Sequence, residues 1–200
     1  KLKRGGPAGE RRRGALAAEL AFLDGLLFDV EEAASPEDLV PIEEVIEAAG
    51  YFPSRAVKKL KGRKRPAVLP YRRFRAPEGW EIYIGKNAAG NNALTQRVGR
   101  AGDLWFHARG LPGSHVLLRL PPGAGKADPP DAALRQGACL AARHSRGREA
   151  GKLEVDWVPF QNLRRPRGAR PGLVTIRGQK TLTADPAEGE RLLEELEEIE

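Results

Sequence analysis

The 200-residue chain contains no methionine and a single cysteine, Cys139. One thiol forms no internal disulfide, so nothing calls for an oxidising compartment, and the expected setting is the reducing cytoplasm. Histidine is nearly as scarce, at three residues. Three imidazoles and one thiol exclude a rich metal site, and neither a metal nor a cofactor is expected. No uncharged apolar run approaches the ~18 residues that a membrane span needs, so no membrane association is expected. The opening Lys1-Leu2-Lys3-Arg4-Gly5 has no apolar run behind it and does not read as a secretory signal. Without an initiator methionine, the chain reads as part of a longer protein.

Hydrophobic residues make up 40% and charged residues 30% of the chain, enough for one core domain with appended segments. The net charge of +7 is unevenly spread. Residues 1–54 hold six basic and eleven acidic side chains, and residues 181–200 hold one basic and eight acidic. Between them, residues 55–180 hold 27 basic and 8 acidic, an excess of +19. Solubility alone does not require such a concentration. Clustered Lys and Arg are rewarded by phosphates through counterion release, so a polyanionic partner is implied.

Leu16, Leu20, Leu23, Leu27 and Val30 step by alternating fours and threes, which predicts a helix with a heptad seam. Two readings compete: one arm of a coiled coil whose partner helix lies elsewhere in a longer chain, or an amphipathic helix seated on the core. Ser35-Pro36-Glu37-Asp38 predicts a second helix start, lined by Ile42, Val45, Ile46 and Ala49 and ended by Gly50. The predicted organisation is a helical segment over 1–53, a basic linker over 54–67 and a domain over 68–200. Short β-branched and aromatic stretches predict strands at 70–74, 80–84, 104–107, 114–120, 153–158, 173–176 and 181–183. Helices are expected at 91–98 and 131–144, the latter burying Cys139 as a small thiol, and after the capping sequence Asp185-Pro186-Ala187-Glu188, over 187–199. Many strands with few interleaved helices predict an α+β fold with a mainly antiparallel sheet.

Three clusters carry candidate chemistry. Lys86, Asn87 and Asn91 lie where a strand runs into a helix start, a place suited to a phosphate, although the Gly-Lys-Thr order of a Walker loop is absent. An Asn-rich turn is the structural alternative. In Asp103–Val116, period-two alternation puts Asp103, Trp105, His107 and Arg109 on one face, with Leu104 and Phe106 on the other. The turn at Pro112-Gly113 then folds Ser114 and His115 back, so that His107 and His115 approach each other. Such a group serves as an RNA surface that pairs with phosphate and stacks on bases, as a hydrolase or nuclease centre using His107, His115 and Asp103, or as plain structure. RNA binding or structure ranks above catalysis. Last, Arg164, Arg165, Arg167 and Arg170 crowd a Pro- and Gly-rich loop that holds guanidinium groups out toward phosphates. Arg72, Arg73 and Arg75, with Arg143, Arg146 and Arg148, extend the basic surface.

The order and spacing of these motifs resemble the RNA-binding domain of the NFACT family, which includes the bacterial RqcH proteins, often labelled fibronectin-binding proteins, and the eukaryotic tailing factors. The matching residues are Tyr71-Arg72-Arg73-Phe74, Trp80 and Ile82, Gly85-Lys86-Asn87, and Asn91 with Leu94-Thr95. They continue through Asp103–Arg109, Pro112–Val116, Arg165-Pro166, Gly168–Gly172 and Lys180-Thr181-Leu182. The resemblance spans about residues 68–186, and residues 10–52 resemble the returning arm of that family's coiled-coil region. Asn92 stands where the family pattern is acidic, so no carboxylate role is carried over to it. The resemblance implies a non-enzymatic module that contacts the rRNA of the large ribosomal subunit, or tRNA. It would serve a factor that rescues obstructed subunits and supports untemplated alanine tailing. Adhesion to fibronectin is a further alternative.

Overall fold

The computed structural model describes residues 6–51, 69–123, 129–167 and 169–199. The expected basic linker at 54–67 lies outside the described residues. Helix α1 (Gly6–Glu31) and helix α2 (Pro36–Ala48) come first. Ser35 opens α2 as expected, its hydroxyl and its amide both donating to the Asp38 carboxylate, at 2.9 and 3.1 Å.

The seam leucines of α1 do not meet the core. Leu16, Leu20, Leu23, Leu27 and Val30 are all exposed. The neighbouring stripe is buried instead: Leu26, flanked by Phe22, packs on Ile42 and Val45 of α2 and on Ala88 and Ala89. Tandem apolar pairs, Phe22-Leu23 and Leu26-Leu27, give α1 two adjacent stripes, and the one with fewer members faces inward. The core-seated reading of those leucines is therefore corrected.

The domain is α+β, as the strand pattern predicts. Strands β1 (Tyr71–Arg75), β2 (Glu81–Gly85), β3 (Leu104–Ala108), β4 (Val116–Arg119), β5 (Leu153–Pro159), β8 (Lys180–Ala184) and β9 (Glu197–Glu198) form one antiparallel sheet, ordered β8-β5-β3-β4-β2-β1-β9. Strands β6 (Leu163–Arg164) and β7 (Thr175–Ile176) pair separately as a small hairpin. Strand alternation sorts the two faces. Leu104, Phe106, Val116 and Leu118 point into a core covered by helix α4 (Asp131–Arg143) and edged by helix α5 (Pro186–Glu194). Cys139 is buried there as expected, and burial raises its thiol pKa. Helices α4 and α5 cross at backbone contact: a Cβ on Gly189 would lie 2.2 Å from the Cys139 carbonyl oxygen.

Two expectations about the chain beyond residue 172 are corrected. The final helix stops at Glu194, not at 199, and the chain turns back as β9, with Phe74 opposite Glu198 and Arg75 opposite Glu197. Arg72 holds Glu198 through two hydrogen bonds, at 2.9 and 2.8 Å, so the acidic end is drawn to a basic edge strand. The strand expected at 173–176 shortens to Thr175–Ile176.

Candidate nucleic-acid interface

The other face of the sheet carries Tyr83, Trp105, Leu117 and Val158, covered by Leu94 and by Leu163 of the hairpin. Helix α3 (Ala88–Ala93) runs without a break into a π-helical turn, Leu94–Val98, and this rod lies over that face. It begins earlier than expected because Asn87 caps it, accepting from the Gly90 amide at 3.0 Å. Leu94 is fully buried against Tyr83 and Trp105, and a cleft opens on either side of the rod.

The first cleft, about 430 Å³, is lined by Tyr71, Arg73, Tyr83, Arg97, Arg100 and Arg119. Arg119 forks onto Asp103 at 3.0 and 2.8 Å and reaches the Tyr83 hydroxyl at 2.6 Å. Arg73 pairs with Glu81 at 2.7 Å, and Tyr83 donates to the same carboxylate at 2.5 Å. These contacts hold the Glu81 carboxyl below its ordinary pKa, the Tyr83 hydroxyl contributing most. Among the described residues, the exposed Arg97 and Arg100 guanidinium groups have no ion pair, so they are available to an anion. Neither was singled out from sequence. They stand alone in the chain, and only the π turn and the following bend bring them beside β1 and β4.

The second cleft, about 690 Å³, lies between α1 and the sheet and includes Trp105, His107, His115, Arg109 and Arg170. His107 and His115 meet as the turn predicts, with ring centroids 5.4 Å apart and planes at 88°. Trp105 stacks on His107 at 5.7 Å and 11°, and His115 sets its ring against Trp105 at 5.1 Å. Burial lowers the pKa of both imidazoles, and the nearby His107 lowers His115 further, so both are neutral at physiological pH. Asp103 is not part of this group, because its carboxylate is committed to Arg119 and to the Arg100 amide, at 2.9 Å. The hydrolase constellation of His107, His115 and Asp103 is therefore not assembled. Among the described residues, no cluster of three His, Cys, Asp or Glu side chains is placed to hold a metal.

The remaining sequence candidates divide. Asn91 is buried, donating to the Gly113 carbonyl at 3.2 Å and accepting from the His115 amide at 2.8 Å. Ser114 is buried, its hydroxyl on the Gly85 carbonyl at 2.6 Å. At the start of α3 the acceptor is the chain's own: the Asp29 carboxyl of α1 accepts from the Ala88 amide at 2.7 Å. The place read as a phosphate cradle is thus filled by a carboxyl group, and Lys86 alone of that cluster is exposed. Arg109 is held by Asp156, at 2.7 Å, with Glu154 and Thr181. Arg170 joins Glu19 and lies over the Phe22 ring at 4.3 Å. Arg164 turns back to the Gln161 carbonyl at 2.6 Å, and Arg165 to that of Ala169 at 2.8 Å, while Arg167 is exposed. Arg146 pairs with Asp24 and Glu31, and Arg148 with Glu32, so α1 and the residue after it set a row of carboxylates against the domain's arginines.

Comparison with known proteins agrees with this architecture. Residues 70–178 match the NFACT protein RNA binding domain. The Rqc2 homolog RqcH of Streptococcus pneumoniae is 36% identical over 154 residues, covering 76% of this chain and 26% of that protein. The Rqc2 homolog RqcH of Bacillus subtilis is 29% identical over 168 residues, covering 84% and 28%. The chain thus spans about a quarter of the length of these curated relatives. The solved structure of the C-terminal part of the fibronectin/fibrinogen-binding protein from Streptococcus suis superposes with a TM-score of 0.77 at 31% identity. That match covers 96% of this chain and 73% of the other. With more than half of its length matched in the expected motif order, the chain belongs to the NFACT family and carries that family's RNA-binding domain.

Proposed function

We propose that this chain is the part of a ribosome-associated quality-control factor that grips RNA, contacting the rRNA of an obstructed large ribosomal subunit or its tRNA. In the full-length protein it would support untemplated alanine tailing, in the cytoplasm, without catalysing a reaction itself. The observation that carries this reading is the tyrosine-floored cleft in which unpaired Arg97 and Arg100 join Arg73 and Arg119. Guanidinium groups presented over aromatic rings suit a phosphodiester strand, and the surrounding +19 segment supplies long-range attraction. The names of the RqcH relatives favour the ribosomal setting.

The test is binding of the chain to purified large ribosomal subunits and to free tRNA across a salt series. Subunit binding that survives physiological salt is the expected result. Equal binding to every polyanion, erased by salt, would refute a ribosomal role. Adhesion is a second reading, favoured by the name of the S. suis protein. A basic surface also attracts acidic proteins nonspecifically, so that reading requires fibronectin binding that persists as salt rises.

A further inference from the structure

The second cleft holds two polar atoms with nothing to bond. Trp105 Nε1 and His115 Nδ1 are buried and have no hydrogen-bond partner among the described residues. Both residues line the cleft, and they are only 3% and 4% exposed. Buried polar groups are rarely left unpaired, because desolvation without a replacement bond is costly. The two atoms also differ in kind. The indole N–H is a donor only. His115 is neutral and hydrogen-bonds the Asn91 backbone, so its Nδ1 is left as an acceptor. Two residues of a largely apolar cleft wall thus carry one unmet donor and one unmet acceptor.

The walls restrict the shape of an occupant. Trp105 and His107 form a nearly parallel stack, and His107 keeps the more exposed ring. Small residues of α1, Ala18, Ala21 and Gly25, also line the cleft and take up little of its volume. Among the described residues, each acidic side chain lining the cleft is already engaged: Asp29 by Ala88, Asp156 by Arg109, Glu19 by Arg170 and Asp24 by Arg146. Arg109 and Arg170 also line the cleft and are partly exposed, each held by carboxylates that a phosphate would displace.

We infer that this cleft receives a single unpaired nucleobase of an RNA strand, stacked on His107 and hydrogen-bonded at its edge by Trp105 and His115. A base is planar and neutral, and the Watson–Crick edge of every base carries both an acceptor and a donor. Its phosphodiester remains outside, beside Arg109 and Arg170. This rests on the RNA-binding reading above and adds to it a preference for unpaired over duplex RNA.

The test uses the full 200-residue chain and a single-stranded RNA dodecamer with a central 2-aminopurine. Its other arms are the same strand annealed to its complement, and free 2-aminopurine riboside. The single strand is expected to bind with quenching of the 2-aminopurine fluorescence. Trp105→Phe removes the donor together with part of the buried ring, and His107→Ala removes the stacking ring. Each is expected to weaken single-strand binding, His107→Ala by about tenfold, with duplex binding and the salt slope unchanged. A single cooperative melting transition above the assay temperature shows that each variant is folded. Single-strand binding without quenching, or untouched by both substitutions, overturns the base slot and leaves the RNA-binding reading standing. Quenching of the free riboside without that of the strand also overturns it. Absence of binding to either RNA would instead bring down the RNA-binding reading itself.

Discussion

The side chain of Asn91 clamps the main chain at His115: its oxygen accepts the His115 amide at 2.8 Å while its nitrogen donates to the Gly113 carbonyl at 3.2 Å. The position of His115 against His107 and Trp105 thus depends on one buried amide of α3. Asn91→Ala leaves the buried His115 N–H unpaired and takes one partner from the Gly113 carbonyl, which keeps His107, and is expected to cost about 2–4 kcal/mol. In a chain of this size that is a fall of roughly 5–15 °C in melting temperature, read by thermal denaturation. Asn91→Asp keeps the acceptor but sets a carboxylate against the Gly113 carbonyl, and it should be no better than Asn91→Ala.

Gly90 is a backbone contact point between α3 and the chain entering β1. A Cβ there would lie 1.9 Å from the Pro70 carbonyl oxygen. The obstacle is main chain, which cannot swing aside as a side chain does. Gly90→Ala is therefore expected to destabilise by about 3 kcal/mol or more, visible as a lowered urea midpoint.

Burial pushes the Asp29 carboxyl up to about 7, against the opposing effect of the Ala88 amide. A raised carboxyl holds its proton more tightly in the fold. Its stabilising contribution is complete below the ordinary value of 3.8 and is lost as pH rises through about 7. His107, His115 and His144 act oppositely: burial lowers them, so their contribution is lost as pH falls below the ordinary 6.5. Asp29→Asn isolates the first effect. Relative to that variant, the wild-type chain should lose about 2–4 kcal/mol between pH 4 and pH 8, measured by denaturant titration at each pH. A constant difference would show that Asp29 is not desolvated.

Glu19, Asp24 and Glu31 of α1, with Glu32 just beyond it, hold Arg170, Arg146 and Arg148 in ion pairs. Each pair is partly exposed and individually weak, so phosphates can compete for the arginines. Neutralising all four acids to Gln or Asn should raise tRNA affinity at low salt by about threefold to tenfold and steepen the salt dependence. Unchanged affinity would place those arginines away from the RNA path.

Replacing Arg97 and Arg100 by Gln removes two phosphate anchors. The salt slope for single-stranded RNA should fall by about 1.4, with stability unaltered. Arg165→Gln and Arg167→Gln test the hairpin loop in the same way. An unchanged slope in either pair removes that region from the interface.

Much of this protein was legible locally. The charge partition follows from composition. The facing of Trp105 and His107 away from Leu104 and Phe106 follows from strand alternation, and the approach of His107 to His115 follows from the turn at Pro112-Gly113. The starts of α2 and α5 are set by Ser35 and Asp185, which bond within their own first turns. The ordered motifs from Tyr71 to Leu182 pointed to the family. These signals act over a few residues or are summed along the chain, so the sequence by itself determines them. The tertiary structure alone decided how polar side chains were spent. Asn91 reaches residues 22 and 24 positions away, Asp29 reaches across 59, and Arg72 finds Glu198 across 126. It also decided which stripe of α1 faced inward, and it gathered Arg97 and Arg100 beside Tyr71 and Tyr83. Hydrogen bonds and ion pairs depend on distance in space, and a buried polar group takes whichever partner the fold brings within about 3 Å. Periodicity predicts the face of an element; only the packed chain determines what that face meets.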